Sequence, residues 1–255
     1  MWIEQNPKIF ISAPFGNYIK SKRTISVHGT YTRQPRGFGN DNKFPKSYIL
    51  WNVLKTLRYD RELGGWVNKL GLPNPGLHYG LSAVSYRPND VLSISEIKRG
   101  DFQKMNNIIP LDQSLEINFS CPNLGKKLPL DGAGIFTKVK SREWCIAKLS
   151  PLTDGDELEF VIEHLGFKQI HLSNTLPLPN GRGGLSGATL KPYTLELINL
   201  VREQWGNRIE IIAGGGVSDF GGVMDYLKAG ANHVSIGSVC FNPFKLRKLI
   251  KSLTI

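Results

Sequence analysis

Short apolar runs alternate with longer amphipathic stretches through the second half of this 255-residue chain. Each run is rich in β-branched residues and ends in polar residues or glycine, which is typical of buried β-strands. The runs are SLEINFS (114–120), WCIAKLS (144–150), QIHLSN (169–174), IEIIAGG (209–215) and HVSIGS (233–238). Helical periodicity lies between them in DGDELEFVIEHLG (154–166), KPYTLELINLVREQWG (191–206) and DFGGVMDYLKAG (219–230). Regular alternation of strand and helix predicts parallel βαβ units.

The first half of the chain supplies three further candidate strands, KIFISAP (8–14), TISVHGTY (24–31) and DVLSIS (90–95). Together with the later runs they make eight, the number that closes a (β/α)₈ barrel. The first two are too close together for a crossover helix, so either the strand count is off by one there or the first helix has been lost. Because no linker or repeat interrupts the pattern, we expect one α/β domain over residues 1–255, a TIM barrel with a shortened, irregular first half.

The composition is compatible with one large core, since 40% of residues are hydrophobic. No stretch approaches the roughly 18 apolar residues of a membrane span. The N-terminal MWIEQNPKIF lacks the apolar core of a secretory signal, so we expect a cytoplasmic protein without a transmembrane segment. The net charge of +11 raises a polyanion such as nucleic acid as a partner. Aromatic residues do not interleave with the basic clusters, which favours a solvated basic surface that attracts small anionic substrates.

Cysteine and histidine spacing argues against a disulfide framework and against a metal site. The chain has three cysteines without a CxxC pair, and five scattered histidines. Cys145 and Cys240 lie in apolar strand contexts and are expected to pack. Cys121 follows a predicted strand in INFSCPN (117–123), beside a proline and between two asparagines. It is the candidate reactive thiol, although a strand that simply ends in a Pro-Asn turn would look the same.

Chemistry in such a barrel lies at the carboxyl ends of the strands, where the remaining unusual residues fall. IIAGGGVSD (211–219) and VSIGS (234–238) are glycine-rich strand ends, which let backbone N–H groups approach a phosphate. We expect a phosphate site there, aided by the N-terminus of the next helix, with a simple tight turn as the alternative.

Lys148 interrupts the apolar strand of CIAKLSP (145–151) and is expected to point into the barrel. An electron-rich cofactor ring would stabilise it there, and a lysine that reaches water at a strand end is the alternative.

Four asparagines lie at predicted strand ends or loops near the same face. They are Asn68, Asn118, Asn123 and Asn174. A single asparagine usually serves a turn. Four asparagines around a thiol predict hydrogen-bond donors and acceptors for a planar polar ligand.

These motifs, in this order along the chain, resemble those of the dihydroorotate dehydrogenases. The matching segments are GTYTRQPRGFGND (29–41), NKLGLPNPG (68–76), INFSCPN (117–123), AKLSP (147–151), SNT (173–175), GGLSG with LKP (183–192), IIAGGGV (211–217) and SIGS (235–238). The resemblance implies an FMN-dependent (β/α)₈ barrel that oxidises (S)-dihydroorotate to orotate in pyrimidine biosynthesis. Within that family, SCPN resembles the soluble, cysteine-dependent class, whereas GTYTRQPRGFGND resembles the quinone-linked class.

Carried over position by position, the resemblance implies a role for each matching residue. Cys121 would be the base that takes a proton from C5 of dihydroorotate, while the hydride from C6 passes to N5 of FMN. Lys148 would face the N1 and O2 region of the flavin and stabilise negative charge on its reduced form. The substrate carboxylate and ring amides would be held by Asn68, Asn118, Asn123, Asn174 and Thr175. The ribityl chain and phosphate would be surrounded by Ser186, Gly187, Gly215, Gly216, Gly237 and Ser238.

The chain departs from the family in its length and in one lysine. It is shorter than is typical, and the second lysine, which the family places on or just after one of the first two strands, has no counterpart in ISVHG (25–29). Lys20, Lys22 or Arg23 would replace it only if the preceding loop bends inward. The electron acceptor stays open between fumarate, NAD reached through a partner subunit, and quinone, and a homodimer is one candidate assembly. The alternative functions are another FMN-barrel reductase, such as a tRNA-dihydrouridine synthase, and a non-catalytic FMN barrel.

Overall fold

The computed structural model describes residues 7–37, 55–85, 89–119, 132–172 and 174–253. Its strands are β1 (Ile9–Ile11), β2 (Ile25–Tyr31), β3 (Arg58–Asp60), β4 (Gly65–Asn68), β5 (Val91–Ile94), β6 (Leu115–Asn118), β7 (Cys145–Lys148), β8 (Gln169–Leu172), β9 (Leu176–Leu178), β10 (Gly183–Gly187), β11 (Glu210–Gly214) and β12 (His233–Ile236). Eight of these run parallel and close into a barrel in the order β1-β12-β11-β8-β7-β6-β5-β2. They are the eight strands that the apolar runs predicted, so the (β/α)₈ fold class is confirmed.

Within the described residues, a helix follows each barrel strand except β1. The helices are α1 (Leu77–Val84), α2 (Asp101–Asn106), α3 (Gly134–Thr137), α4 (Gly155–Glu159), α5 (Lys191–Trp205), α6 (Phe220–Lys228) and α7 (Pro243–Ser252), and α4 continues as a π-helical turn over Phe160–His164. The three helices predicted from periodicity are α4 with its continuation, α5 and α6. Asp154, Asp219 and Asn242 cap α4, α6 and α7, and each accepts a hydrogen bond from a first-turn N–H group.

The connection between β1 and β2 contains no α-helix, only a 3₁₀ turn at Phe15–Asn17. The two strands pair directly in parallel, with Phe10 opposite Ile25. The turn lies against β2, since a Cβ atom on Gly16 would come within 2.2 Å of the Val27 carbonyl oxygen. Of the two explanations for the short gap, the second is therefore correct: the strand count is right and the first helix has been lost.

A second, four-stranded antiparallel sheet in the order β3-β4-β10-β9 was not expected from the sequence. Its strands come from two insertions, one after β2 and one after β8, so the sheet lies beyond the carboxyl ends of the barrel strands. Trp66 on β4 packs against Phe241, which follows β12, with ring centroids 4.7 Å apart. Phe241 in turn contacts Phe15 after β1 at 5.0 Å. This aromatic row joins the second sheet to the rim of the barrel.

The interior of the barrel changes from apolar to polar along the strands. Phe10 and Trp144 meet edge to face with centroids 5.0 Å apart, and they close the amino end. The residues that pack with them are Val27, Val91, Ile146 and Ile212. Alternate residues of a strand share a face. Two positions further along, the same faces carry Ser12, Ser93, Lys148 and Gly214, so a polar layer begins where the strands end.

Candidate functional site

A buried cluster of three ionisable side chains, Glu116, Lys148 and His171, lies near the ends of β6, β7 and β8. One oxygen of the Glu116 carboxylate accepts a hydrogen bond from His171 Nδ1 at 2.7 Å, and the other accepts one from Ser93 Oγ at 2.9 Å. Lys148 Nζ lies 3.7 Å from that second oxygen, Oε1. The three ionisable side chains are at most 5% exposed, so bulk water screens their charges little.

The charges in this cluster follow from its contacts. Burial by itself would raise the pKa of Glu116, but the Lys148 charge and two hydrogen bonds outweigh burial and lower it to about 2. Burial and the Lys148 charge both lower the pKa of His171. At neutral pH the cluster therefore holds an ionised carboxylate and a neutral imidazole that donates through Nδ1–H. The other imidazole nitrogen, Nε2, has no hydrogen-bond partner within the described residues and faces Gly214, where a Cβ atom would lie 3.3 Å away.

A chain of hydrogen bonds leads from the predicted substrate asparagines to this carboxylate. Asn174 Nδ2 donates to Asn118 Oδ1 at 3.1 Å, and Asn118 Nδ2 donates to Thr30 Oγ1 at 3.0 Å. The hydroxyls of Thr30 and Ser93 share a bond of 2.9 Å. Because the Ser93 hydroxyl donates to Glu116, its oxygen accepts from Thr30, and every donor in the chain points toward the carboxylate. Such a chain fixes which end of each amide faces the mouth of the barrel.

The glycine-rich turn after β11 has the geometry of an anion-binding loop. The Gly214 carbonyl accepts a hydrogen bond from Thr194 Oγ1 at 2.9 Å, and the Gly215 carbonyl accepts one from Tyr226 Oη at 2.6 Å. In a trans peptide the C=O group and the following N–H group point in opposite directions. The N–H groups of Gly215 and Gly216 therefore face away from α5 and α6, toward the barrel. Successive N–H groups turned to one side suit phosphate oxygens.

Three of the predicted cofactor residues, Gly187, Gly215 and Gly216, are brought together by this turn. Gly216 has a φ of +72°, and a Cβ atom on it would lie 2.6 Å from Ala188 Cα and 2.9 Å from the Gly187 carbonyl oxygen. The turn after β11 therefore rests directly on the end of β10. Ser186 is the neighbouring residue on β10, so the four predicted positions form one continuous surface.

The ends of β12 and β1 meet beside this surface. Ser12 Oγ and Ser235 Oγ share a hydrogen bond of 2.6 Å. A Cβ atom on Gly237 would lie 3.8 Å from Ser12 Oγ. Ser238 then begins the 3₁₀ turn that contains Phe241. Since β12 pairs with β11, Gly237 and Ser238 border the same opening as the glycine turn, where barrels of this kind commonly bind phosphate.

The remaining predicted residues lie in other places. Thr175 donates its backbone N–H to Asn174 Oδ1 at 2.9 Å, so it belongs with the asparagine pair. Asn68 ends β4, and its side-chain amide donates to the Gly184 carbonyl at 3.4 Å. It therefore belongs to the antiparallel sheet rather than to the barrel wall. Cys121 and Asn123 lie outside the described residues.

Lys20 does not take the place of the family's second lysine. Its Nζ lies 3.2 Å from His28 Nε2 and 3.9 Å from Asp90 Oδ2. Asp90 directly precedes β5, so Lys20 lies near the amino ends of the strands, opposite the site. Lys22 and Arg23 are exposed in the same loop. The loop before β2 does not bend toward the site, and β2 contributes only a neutral hydroxyl to the polar cluster.

Sequence reasoning missed the inner part of the cluster, which consists of Glu116, His171, Ser93 and Thr30. The signal was nevertheless in the strands, since an ionisable residue inside a short apolar strand is costly unless it is paired. That argument identified Lys148. Applied equally to LEIN (115–118) and QIHL (169–172), it would have identified Glu116 and His171 as well.

Neither a membrane-spanning helix nor a metal-binding cluster occurs among the described residues. No helix in those ranges is both long and apolar enough to cross a bilayer. No group of three or more His, Cys, Asp and Glu side chains there is arranged to hold a metal ion.

The fold and the site together define a class of protein. A closed parallel barrel whose carboxyl ends gather a buried ammonium, paired asparagines and a glycine turn is typical of (β/α)₈ enzymes that hold a phosphate-bearing cofactor beside a polar substrate. The family model described as dihydroorotate dehydrogenase matches residues 55–254. The chain therefore belongs to the dihydroorotate dehydrogenase family, as its motifs predicted.

Curated relatives show how far the likeness extends. The catalytic subunit of dihydroorotate dehydrogenase B (NAD(+)) from Oceanobacillus iheyensis is 31% identical over 230 residues, which are 78% of this chain and 74% of that protein. The catalytic subunit of the same name from Brachyspira hyodysenteriae is 28% identical over 217 residues, 74% of this chain and 71% of that protein. The matches extend along most of both chains.

Solved structures confirm the fold. The dihydroorotate dehydrogenase of Eimeria tenella in complex with ferulenol superimposes with a TM-score of 0.71 at 18% identity, over 96% of this chain and 80% of that chain. The ligand-free form of the Eimeria tenella enzyme gives a TM-score of 0.67 at 17% identity, over 89% and 76% of the two chains.

FMN is the cofactor of this family, and the residues present fit it. Among the described residues the Lys148 ammonium makes no hydrogen bond, only the 3.7 Å ion pair, so it retains donors for an electron-rich ring. The N–H groups of Gly215 and Gly216 suit the phosphate. Helix α6 does not assist them as expected, because Asp219 caps it and accepts from the Gly222 N–H at 2.9 Å. That carboxylate would repel a phosphate at the same helix end.

Proposed function

We propose that this protein is an FMN-dependent dihydroorotate dehydrogenase, which oxidises (S)-dihydroorotate to orotate in pyrimidine biosynthesis. One observation carries the proposal. The amides of Asn118 and Asn174 are hydrogen-bonded to each other, and Lys148 lies in register with Asn118 on the neighbouring strand. Dihydroorotate is a small anion whose ring carries amide groups, so its edges need both donors and acceptors. Paired asparagine side chains supply both.

The substrate site that we propose consists of Asn68, Asn118, Asn123, Asn174 and Thr175. Its described barrel amides are organised before substrate arrives. Hydrogen bonds hold the described barrel amides in one orientation, with Asn118 bonded to Thr30 at 3.0 Å and Asn174 to the Thr175 N–H at 2.9 Å. Side chains already ordered lose less entropy on binding, which favours affinity for a small ligand.

The reaction needs a base and an electron acceptor. FMN, held by Lys148 and the glycine turn at Gly215 and Gly216, would supply the hydride acceptor. Lys148 supplies positive charge where negative charge develops. Cys121, three residues beyond Asn118 in INFSCPN, is proposed as the base that removes the C5 proton. Because only the thiolate can act as a base, the rate of flavin reduction should rise with pH as the thiol ionises.

We further propose that a second subunit passes the electrons to NAD⁺. The relatives from Oceanobacillus iheyensis and Brachyspira hyodysenteriae are named catalytic subunits of an NAD(+)-linked enzyme, and a catalytic subunit implies a partner. Fumarate and quinone are the competing acceptors. The cytoplasmic location and the homodimer stay predictions.

The family match favours this function over a tRNA-dihydrouridine synthase. The buried cluster favours it over a non-catalytic barrel. An ammonium and a carboxylate that are nearly inaccessible to water carry a large desolvation cost. A barrel without chemistry would lose nothing by replacing them with apolar residues.

The test is anaerobic mixing of FMN-loaded protein with dihydroorotate while the visible absorbance of oxidised flavin is followed. Loss of absorbance establishes flavin reduction. Cys121→Ala should retain FMN and slow the reduction by roughly 100-fold or more, and an unchanged rate would remove Cys121 from the mechanism. Asn118→Ala should raise the dihydroorotate concentration needed, whereas Asn199→Ala, an exposed asparagine on α5, should not.

Failure of the flavin to bleach would refute the proposed substrate. Dihydrouridine in tRNA would then be the next compound to mix with the protein. If the flavin does bleach, the reduced protein is mixed in turn with fumarate, a quinone and NAD⁺. Reoxidation by NAD⁺ only after a partner subunit is added would support the subunit proposal, and direct reoxidation by fumarate or quinone would contradict it.

A further inference from the structure

A buried carboxylate next to the proposed flavin site has no part in the reaction described above. Glu116 is 1% exposed, and both of its oxygens are engaged by neutral donors, Ser93 Oγ at 2.9 Å and His171 Nδ1 at 2.7 Å. A charge this deeply buried is costly to maintain. Its one charged neighbour among the described residues is Lys148, whose Nζ lies 3.7 Å from Oε1.

We propose that Glu116 is a positioning residue that holds Lys148 and limits the positive charge that this lysine presents to the flavin. The inference rests on the proposed FMN-dependent function and deepens it. The separation of 3.7 Å is longer than the roughly 2.8 Å of a charge-assisted hydrogen bond. The lysine therefore stays within reach of its counter-ion without giving up its donors to it.

The neutral donors account for that separation. Ser93 bonds the same oxygen that faces Lys148, and His171 bonds the other, so both carboxylate oxygens are partly satisfied before the ammonium approaches. His171 can fill this role because it is neutral and its Nδ1–H donates. The ion pair is consequently weaker than a direct contact, and Lys148 can still donate toward the mouth of the barrel.

The charge balance affects the flavin directly. Reduced flavin carries more negative charge than oxidised flavin, so an unopposed ammonium would favour the reduced form. The flavin of a dehydrogenase must take electrons from one substrate and release them to another. A counter-ion beside Lys148 lowers the preference for the reduced form and keeps electron release possible.

Glu116→Gln removes the negative charge and retains the size of the side chain. The neutral His171 can exchange its tautomer and accept from the new amide, so the hydrogen bond can be kept. We expect the preference of the site for reduced over oxidised FMN to rise at least tenfold. A tenfold change corresponds to about 30 mV toward a more positive midpoint potential for a two-electron couple.

Ser93→Ala should move the potential in the opposite direction. The substitution removes the neutral donor from Oε1, so the ammonium can approach the carboxylate and its charge is more fully neutralised. We expect the preference for reduced FMN to fall by a few-fold. Two substitutions in one cluster that loosened the barrel in a general way would not produce shifts of opposite sign.

Glu210→Gln is a matched control. Glu210 accepts a hydrogen bond from His233 Nε2 at 2.7 Å, so it repeats the carboxylate–histidine pair at the opposite, amino end of the strands. Its distance from the flavin site means that loss of its charge should leave the potential unchanged. A shift as large as that of Glu116→Gln would show that the cluster at the site has no special effect.

The measurement is the midpoint potential of FMN-loaded protein at pH 7, equilibrated with a reference dye and without dihydroorotate. A more positive value for Glu116→Gln and a more negative one for Ser93→Ala support the proposal. Equal potentials, or shifts of the same sign, overturn it. If Glu116→Gln does not fold, Ser93→Ala alone tests the inference. The inference is refuted if the midpoint potential of Ser93→Ala does not become more negative.

The outcome is separable from that of the proposed function. Opposite shifts in a protein whose flavin is not reduced by dihydroorotate would refute the substrate and leave the role of Glu116 intact. Unmodified protein that takes up no FMN would overturn both.

Discussion

Replacing Lys148 by methionine should destabilise the protein through the carboxylate that it leaves behind. Methionine fills the space of the lysine stem but leaves Glu116 with neutral donors only. At the observed 3.7 Å and an effective dielectric constant of about 20, Coulomb's law gives about 4.5 kcal/mol for the pair. The pKa of Glu116, about 2 against an ordinary 4.5, corresponds to about 3 kcal/mol. We expect Lys148→Met to lose about 3 kcal/mol of unfolding free energy at pH 7.

The loss of unfolding free energy in Lys148→Met should become smaller as the pH falls. The pKa of Glu116 is lower in the folded state than in the unfolded state, so its stabilisation is complete above pH 4.5 and is lost as the pH falls toward about 2. At about pH 3, linkage leaves less than half of it. The difference in stability between the unmodified protein and Lys148→Met should therefore shrink by more than half between neutral pH and about pH 3.

Urea unfolding of FMN-free protein at both pH values measures this difference. FMN is removed because ligand binding would add its own contribution to the unfolding free energy. Lys191→Met is the matched control, since Lys191 pairs with Asp225 on the surface and should contribute less than about 1 kcal/mol. Adding Glu116→Gln to Lys148→Met should restore part of the loss. The reasoning is refuted if Lys148→Met costs the same at both pH values, or no more than the control.

Three further substitutions test other parts of the structure. Gly216→Ala should weaken FMN binding at least tenfold, because the φ of Gly216 is +72° and the new Cβ would lie 2.6 Å from Ala188 Cα. An unchanged Kd in a flavin-fluorescence titration would remove the glycine turn after β11 from the cofactor site. Glu210→Gln should make the unfolding free energy less dependent on pH in acid. The hydrogen bond from His233 lowers the pKa of Glu210, so the stabilisation is present above pH 4.5 and is lost as the pH falls through the lowered value. Urea unfolding above and below pH 4.5 measures this change, and no difference from the unmodified protein would show that the pair contributes nothing. Gly16→Ala should cost about 2 kcal/mol or more, because a Cβ atom would lie 2.2 Å from the Val27 carbonyl oxygen; an unchanged Tm would show that the turn can shift away from β2.

The barrel strands could be predicted because each is a short β-branched run that is buried on both faces. That pattern is local, so it is visible without knowledge of the fold. The antiparallel sheet could not be predicted in the same way. Its strand GGLSG (183–187) is weakened by glycine and pairs with GWVN (65–68), more than a hundred residues earlier. A strand of that kind exists only because tertiary pairing overrides its low intrinsic preference.

Some side chains of the site could be predicted from the sequence, whereas others could not. Lys148 could be predicted because a lysine in an apolar strand requires an explanation. Asn118 could be predicted because it lies at the end of an apolar strand. Glu116 and His171 are equally unusual, but the hydrogen bond between them joins β6 and β8, which are separated by β7, so the order of the strands along the chain did not reveal it. The contribution expected from helix α6 failed for a local reason. Asp219 is itself the cap of that helix, and a capping carboxylate and a phosphate compete for the same N–H groups.

The shortened first half leaves the charged cluster and the glycine turn unaffected, because these groups come from other strands. The charged groups and the glycine turn come from β6, β7, β8 and β11, which belong to the regular half. From the first half, β2 and β5 contribute only the hydroxyls of Thr30 and Ser93. Pairing with β1 and β5 holds β2 in the barrel wall on both sides, so those hydroxyls do not need the lost helix. Losing it removes packing from the outside of the barrel and leaves the inward-facing groups in place.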